Sequence, residues 1–407
     1  MVDIRAAIIE RGRGGARLYK KNARSFFSFA STLTLFSVLL GLRWVFLIYT
    51  LYYVFMCKKI SLYYQPTKHN RAIVSKLKGL EKVFYPHILW ILPQIQTVVY
   101  FVRQKRLNAH TEVEIEQDDG GSFFINVYNP AKGGDKPGPT HTVVLVHGLG
   151  GSGQSKHVTL LGAHLLEQNF RVIAFNARGT LHKLKTPTFF HIGWTKDLVA
   201  AFRYVMETYE GTVSGVGFSL GGHWLTKVFG ELHSHFTAPE QKRILGGMAI
   251  SIPFDFVKIS EYMKKPIPKR IYNRQFARKI HKFVIRNRDV FEREGYPVPE
   301  ILKTNTLHGL DTLLTAPVFK IKNIDDYYFQ ESAARVIPQI DKPFLILNSK
   351  DDPIVPLHTI PIDTCTQSSH VILALTEKGG HMGFLGYNDY LTYAEEAAIE
   401  FIQALNG

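Results

Sequence analysis

Thr212-Val-Ser-Gly-Val-Gly-Phe-Ser-Leu-Gly-Gly222 is apolar as far as Phe218, sets Ser219 between Gly217 and Gly221, and leads into His223-Trp-Leu-Thr-Lys-Val-Phe229. An apolar run, a serine at a bend and a helical pattern make the strand–turn–helix of a nucleophile elbow, G-x-S-x-G. Such a serine sits in a strained backbone conformation, and the turn closes only if the positions two before and two after it carry no Cβ. The residues around this stretch decide whether it is an elbow or a chance match.

On both sides lie further short, continuous apolar runs: Thr142–Val146, Val172–Phe175, Met248–Ile252, Phe344–Leu347 and Val371–Leu375. Helical patterns over 157–168, 195–209 and 219–231 separate several of them. Strands buried on both faces read this way, so the spacing predicts an α/β domain with a mostly parallel sheet. Thr111–Glu116 and Phe123–Tyr128 alternate around Asp118-Asp-Gly-Gly121 and read as a hairpin at its start. About 85 residues separate Pro253 from Pro338, far beyond a loop, and they carry helical patterns of their own. They are expected to form an inserted helical cap, at about 254–337.

A serine hydroxyl needs a base within hydrogen-bond reach, a carboxylate to orient that base, and N–H donors for the oxyanion. On a sheet carrying this elbow the chain order is Ser, acid, His. The run Phe344–Leu347 ends in Asn348-Ser-Lys-Asp-Asp-Pro-Ile-Val-Pro356, and the last run ends in Thr376-Glu-Lys-Gly-Gly-His-Met-Gly-Phe384. Both follow a strand's C-terminal end, where open α/β sheets bind ligands. His381 is the candidate base, with glycines beside it leaving room to reach over. Asp351 and Asp352 compete as the acid; Asp352, directly before Pro-Ile-Val-Pro, is favoured, which leaves Asp351 to cap the turn or face solvent. The oxyanion donors are expected at Leu220, after the nucleophile, and at Leu149 in the loop His147-Gly-Leu-Gly-Gly-Ser152. His147 precedes the serine and is assigned to holding that loop. The histidines lack metal-ligand spacing and the glycine loop fits neither nucleotide fingerprint, so neither metal nor cofactor is expected.

Net charge is +15 over 407 residues, which points to an anionic partner. With no nucleic-acid motif present, a membrane surface is preferred to nucleic acid. Cys57 and Cys365 are too few and too far apart for a disulfide framework, which favours catalysis facing a reducing compartment. Residues 1–25 are basic, and Phe26–Cys57 is apolar apart from Arg43. That length suits a single-pass transmembrane helix, centred near 33–56, ahead of the aromatic and basic anchor Tyr52, Tyr53, Phe55, Lys58 and Lys59. The competing reading is a buried globular helix. Cys57 is either a palmitoylation site or an inert thiol. Residues 83–102 are apolar but broken by Pro86, Pro93, Gln94 and Gln96, and read as a wall of the substrate site in preference to a second span. In the cap, Lys264–Arg288 holds ten Lys/Arg and no Asp or Glu. Phe276, Ile280, Phe283 and Val284 share one face of its helix. Two readings stand open: a basic surface lying on anionic lipid, or a cap helix packed on the core with its basic face solvated.

Several blocks together resemble one known group. They are Pro86…Trp90…Gln96-Thr97, His147–Ser152, Phe175-Asn-Ala-Arg-Gly179, His191-Ile-Gly-Trp-Thr-Lys-Asp-Leu198, Gly217–Gly222, Asp351-Asp-Pro353 and Gly379–Phe384. The chain resembles the membrane-anchored α/β-hydrolase proteins of the YheT-like, or AB-hydrolase 4, family over roughly its last four fifths. One departure is Ile91-Leu-Pro-Gln-Ile95, where the family carries a glycine-containing segment. The resemblance implies an α/β-hydrolase fold, a triad of Ser219, Asp352 and His381, an N-terminal anchor in the endoplasmic reticulum or another internal membrane, and work on acyl esters such as monoacylglycerols, phospholipids or medium-chain esters. Arg178, in the second of the central blocks, is expected to bridge cap and core, or less readily to bind substrate. The expected organisation is a basic tail (1–25), an anchor (26–57), a linker and apolar segment (58–110) and the hydrolase domain (111–407). The expected activity is lipid ester hydrolysis; acyl transfer to an alcohol and a non-catalytic lipid-binding scaffold are the rivals.

Overall fold

The computed structural model describes residues 42–88, 92–100, 107, 110–131, 138–387 and 391–406. The basic tail and residues 26–41 of the expected anchor lie outside them. What is described of the anchor is one helix, Leu42–Met56, of 15 residues. No helix among the described residues is long and apolar enough to cross a membrane.

The strands in chain order are β1 (Lys58–Lys59), β2 (Ser61–Tyr63), β3 (Val83–Phe84), β4 (Thr111–Glu116), β5 (Ser122–Tyr128), β6 (His141–Val146), β7 (Arg171–Asn176), β8 (Thr212–Phe218), β9 (Ile244–Ile250), β10 (Phe344–Ser349) and β11 (Val371–Thr376). Nine of them form one sheet in the order β2-β11-β10-β9-β8-β6-β7-β5-β4. β6 to β11 are mutually parallel, while β5 pairs antiparallel with both β7 and β4, and the edge strand β2 pairs antiparallel with β11. This is the α/β-hydrolase architecture with a mostly parallel sheet.

The continuous apolar runs follow from burial on both faces. Val144, Val146, Ile173, Phe175 and Ile346 point into one core layer, with the helices Lys196–Thr208 and Leu220–Gly230 and the cap. Their neighbours Val143, Leu145, Val172, Ala174, Leu345 and Leu347 point into the other, under the helices Lys156–Glu167 and Tyr393–Asn406.

Two expectations change. The stretch 58–110 is more than a linker: Ser61–Tyr63 pairs with Leu373–Leu375 as the sheet's edge, and the helix Lys68–Lys76 adds Ile73 and Val74 to the second core layer. The segment expected to form the cap carries helices between Phe256 and Gln339, and its helix Arg274–Arg286 turns its apolar face inward. Ala277, Phe283 and Val284 are buried, and Phe283 packs against Phe189 and Phe190. That face is therefore closed to lipid, and the packed-cap reading holds for it. Ile267, Ile271 and Ile285 are the exposed cap isoleucines.

Candidate active site

β8 ends at Phe218, and Ser219 makes the turn into the helix Leu220–Gly230 with φ 52° and ψ −119°. Few L-residues hold such a conformation unless the surroundings enforce it. Here the Ser219 amide donates to the Ile250 carbonyl at 2.8 Å, and its carbonyl accepts from the His223 amide at 3.0 Å. A Cβ on Gly217 would stand 2.5 Å from the Gly221 carbonyl oxygen, and one on Gly221 would stand 2.4 Å from that of Val146. Both motif glycines are thus required by backbone meeting backbone, as the spacing suggests.

His381 lies in the loop after β11. Its Nε2 is 2.9 Å from Ser219 Oγ, and its Nδ1 is 2.8 Å from Asp352 Oδ2. Asp352 and His381 are buried. The second carboxylate oxygen of Asp352 accepts the amides of Ile354 (2.8 Å) and Val355 (3.0 Å), so the carboxylate cannot swing away. A carboxylate at Nδ1 places the imidazole proton there and leaves Nε2 as the acceptor facing the serine hydroxyl. Asp351 instead accepts the Gly380 amide at 3.0 Å, so it caps the histidine's loop and is not solvent-directed.

The loop His147–Ser152 is built around the His147 ring. Nδ1 donates to the Gly148 carbonyl at 2.8 Å, and Nε2 accepts the Ala177 amide at 3.1 Å. Burial lowers the pKa of His147 to about 4, which keeps the ring neutral and both bonds intact. In a planar trans peptide the N–H points opposite to the C=O. Turning the Gly148 carbonyl toward the ring therefore sends the Leu149 N–H the other way. Gly148 lies against Ser219, since a Cβ there would be 3.1 Å from Ser219 Cβ. The second candidate donor, Leu220, opens its helix, where free N–H groups and the helix dipole favour negative charge.

Other residues at the site carry no local sequence signal. Lys279, within the basic run Lys264–Arg288, donates to the Leu149 carbonyl at 3.2 Å. Its stem lies over Gly150, where a Cβ would meet Lys279 Cδ at 2.7 Å. Ser251 takes φ 52° just past β9 and accepts the Met382 amide at 2.9 Å. The glycines beside His381 serve close packing and not reach. A Cβ on Gly380 would lie 2.4 Å from the Pro93 carbonyl oxygen, and one on Gly383 would lie 2.8 Å from Gln96 Cβ.

Arg178 does not bridge to the cap. It is gripped at 2.7–2.8 Å by Asp197, on the helix Lys196–Thr208, and by Asp119, in the β4–β5 turn. The cap is seated by its neighbour Gly179, whose carbonyl accepts from Asn287 Nδ2 and whose open Cα face receives Phe283.

Residues 143–391 match the Alpha/beta hydrolase family, and the chain belongs to that family. It is similar to phospholipase ABHD3 of Bos taurus, with 27% identity over 379 residues covering 91% of this chain and 90% of that protein. It is also similar to monoacylglycerol lipase ABHD2 of Danio rerio, with 24% identity over 364 residues covering 85% and 83%. Among solved structures it resembles the Pyrococcus furiosus esterase PF2001, at 18% identity and a TM-score of 0.47 over 72% of this chain and 91% of that one.

Proposed function

We propose that this protein is a membrane-associated serine hydrolase that cleaves acyl esters of lipids through an acyl-enzyme on Ser219. The observation that carries the reading is the unbroken relay from Ser219 Oγ through His381 to Asp352, at 2.9 and 2.8 Å. In this reading Ser219 Oγ attacks the ester carbonyl while His381 Nε2 takes its proton, and Asp352 steadies the imidazolium. The Leu149 and Leu220 amides receive the oxyanion, each contributing on the order of 3 kcal/mol to the transition state. His381 then protonates the departing alcohol. Water, deprotonated by the same nitrogen, releases the fatty acid and restores Ser219. The names of the two relatives, a phospholipase and a monoacylglycerol lipase, support a lipid as the ester. The order of the sequence blocks supports membership of the YheT-like branch of the family.

The membrane part of the proposal divides the chain into a basic tail (1–25), an apolar anchor (26–57) and a hydrolase body from residue 58 onward. It is supported by the helix Leu42–Met56, which leaves Trp44, Phe46, Ile48 and Phe55 more than half exposed, as a surface meant for lipid does. On the cap, exposed Ile267 and Ile271 stand among exposed Lys264, Lys265, Lys269, Arg270 and Arg274. Anionic lipid complements this mixture of charge and apolar side chains.

The test uses the full chain in detergent micelles with a monoacylglycerol, a phosphatidylcholine and a medium-chain ester, each with and without a short-chain alcohol. Free fatty acid released by wild type and not by Ser219→Ala is the expected result. Preferential formation of the new ester would make the protein an acyltransferase. No turnover on any substrate would contradict the enzymatic reading.

A further inference from the structure

We propose that Thr97 is a positioning residue for the reaction: its hydroxyl holds the backbone of His381 so that the imidazole meets Ser219. The inference rests on His381 being the base, as proposed above.

Thr97 lies on the helix Pro93–Tyr100, outside the loops that follow the parallel strands. Its hydroxyl donates to the Pro93 carbonyl at 2.8 Å and accepts the His381 amide at 3.0 Å. A hydroxyl has one proton. With that proton committed to Pro93, the oxygen's lone pairs are left for the histidine's N–H. The next residue is held by Ser251 Oγ, which accepts the Met382 amide. Gly380 is held at both ends, its amide by Asp351 and its carbonyl by the Ser349 hydroxyl at 2.8 Å. Gln96, fully buried, accepts the Leu385 amide at 2.9 Å.

The loop needs this restraint. Met382 and Phe384 have φ of 66° and 44°, in the left-handed region that side chains disfavour. Ser251, Ser349 and Asp351 belong to the sheet body. Thr97 and Gln96 belong to an N-terminal strap, of which residues 86–88 and 92–97 are described. There the His87 amide donates to the Leu385 carbonyl, and the Pro86 carbonyl accepts from the Tyr52 hydroxyl at 2.7 Å. Thr97 is the strap residue that bonds to the backbone of the histidine itself. A shift there moves the imidazole relative to both Ser219 and Asp352.

The experiment compares Thr97→Val, which keeps the shape and loses the hydroxyl, with Thr97→Ser, which keeps the hydroxyl. Both are made in the full chain in micelles and assayed on a soluble p-nitrophenyl ester from pH 4 to 9. The expected result for valine is a fall in kcat of about 10- to 100-fold at unchanged KM, with serine restoring most of it. The kcat is taken per folded molecule, so that a loss of stability alone leaves it unmoved. Thr97→Ala repeats the measurement if the valine variant does not fold. Wild-type kcat in the hydroxyl-less variant, or an equal loss in serine and valine, would overturn the proposal. Absence of ester turnover in wild type overturns the function reading itself and is read from wild type alone.

Discussion

Asp351 and Asp352 are adjacent in the chain and act on the same histidine loop in different ways. Asp352 faces the imidazole, with its Oδ2 2.8 Å from His381 Nδ1, while Asp351 holds the amide of Gly380 at 3.0 Å. In the proposed mechanism the first contact orients the base and supports its charge in the transition state. The second only requires a side-chain oxygen that accepts.

Asparagine should therefore separate the two. Asp352→Asn is expected to lower kcat by about 10³- to 10⁴-fold, because an amide facing Nδ1 cannot support the imidazolium and favours the wrong tautomer. Asp351→Asn keeps an acceptor for Gly380 and should stay within about threefold of wild type. Steady-state kinetics on a soluble ester distinguishes the two.

His147 gives the fold an acid-sensitive point. Its folded pKa, about 4, lies below the roughly 6.5 of an unfolded histidine. The unfolded chain then binds the proton first as pH falls. Stability is complete above pH ~6.5 and is lost between there and about pH 4. His147→Gln should remove roughly 2–3 kcal/mol of the difference in unfolding free energy between pH 7 and pH 4.5. His157, His191 and His223, each lowered to about 3 by burial, keep the same sign of slope in the variant. Urea unfolding at the two pH values checks this.

The elbow and the sheet were legible because their signals are local. Each apolar run is one strand buried on both faces, and Gly217 and Gly221 mark the turn within five residues of sequence. The order of acid and base then placed Asp352 and His381 beside Ser219. Which of the two aspartates faces the imidazole is set by where β10 releases the chain; the Pro353-Ile-Val-Pro356 that follows favours Asp352, the residue that meets Nδ1. Thr97 enters the sequence reading only within the block Gln96-Thr97, with no role attached, and Ser251 and Lys279 carry no pattern of their own. Each is defined by a backbone group brought to it from a distant part of the chain, as the His381 amide is brought to Thr97. β2 was missed because three residues give no periodicity. The face of the helix Arg274–Arg286 was ambiguous because a core and a bilayer select the same apolar stripe.

Gly221→Ala should abolish function by geometry alone. The added Cβ would meet the Val146 and His147 carbonyl oxygens at 2.4 and 2.5 Å, and these backbone atoms have no way to yield. A loss of about 3 kcal/mol in stability is expected, together with loss of labelling by a serine-directed fluorophosphonate. Thermal unfolding and gel-based labelling measure the two effects.

Arg178 should matter for stability and not for substrate. Asp197 is fully buried, and Arg178→Met would leave its carboxylate uncompensated, at a cost of about 3–5 kcal/mol. Arg178→Lys should recover only part of this, since one ammonium cannot reproduce the fork shared between Asp197 and Asp119. KM for a soluble ester should be unchanged in whatever fraction folds. A selective rise in KM would assign Arg178 to the substrate instead.

The central claim is that Ser219 is a nucleophile activated by His381. Its most direct test is labelling of the full-length protein with a fluorophosphonate probe, followed by peptide mass spectrometry. The account predicts one adduct, on Ser219, absent from Ser219→Ala and formed at least about 10³-fold more slowly in His381→Ala. Undiminished labelling of Ser219→Ala, or an adduct mapped to another residue, would contradict it.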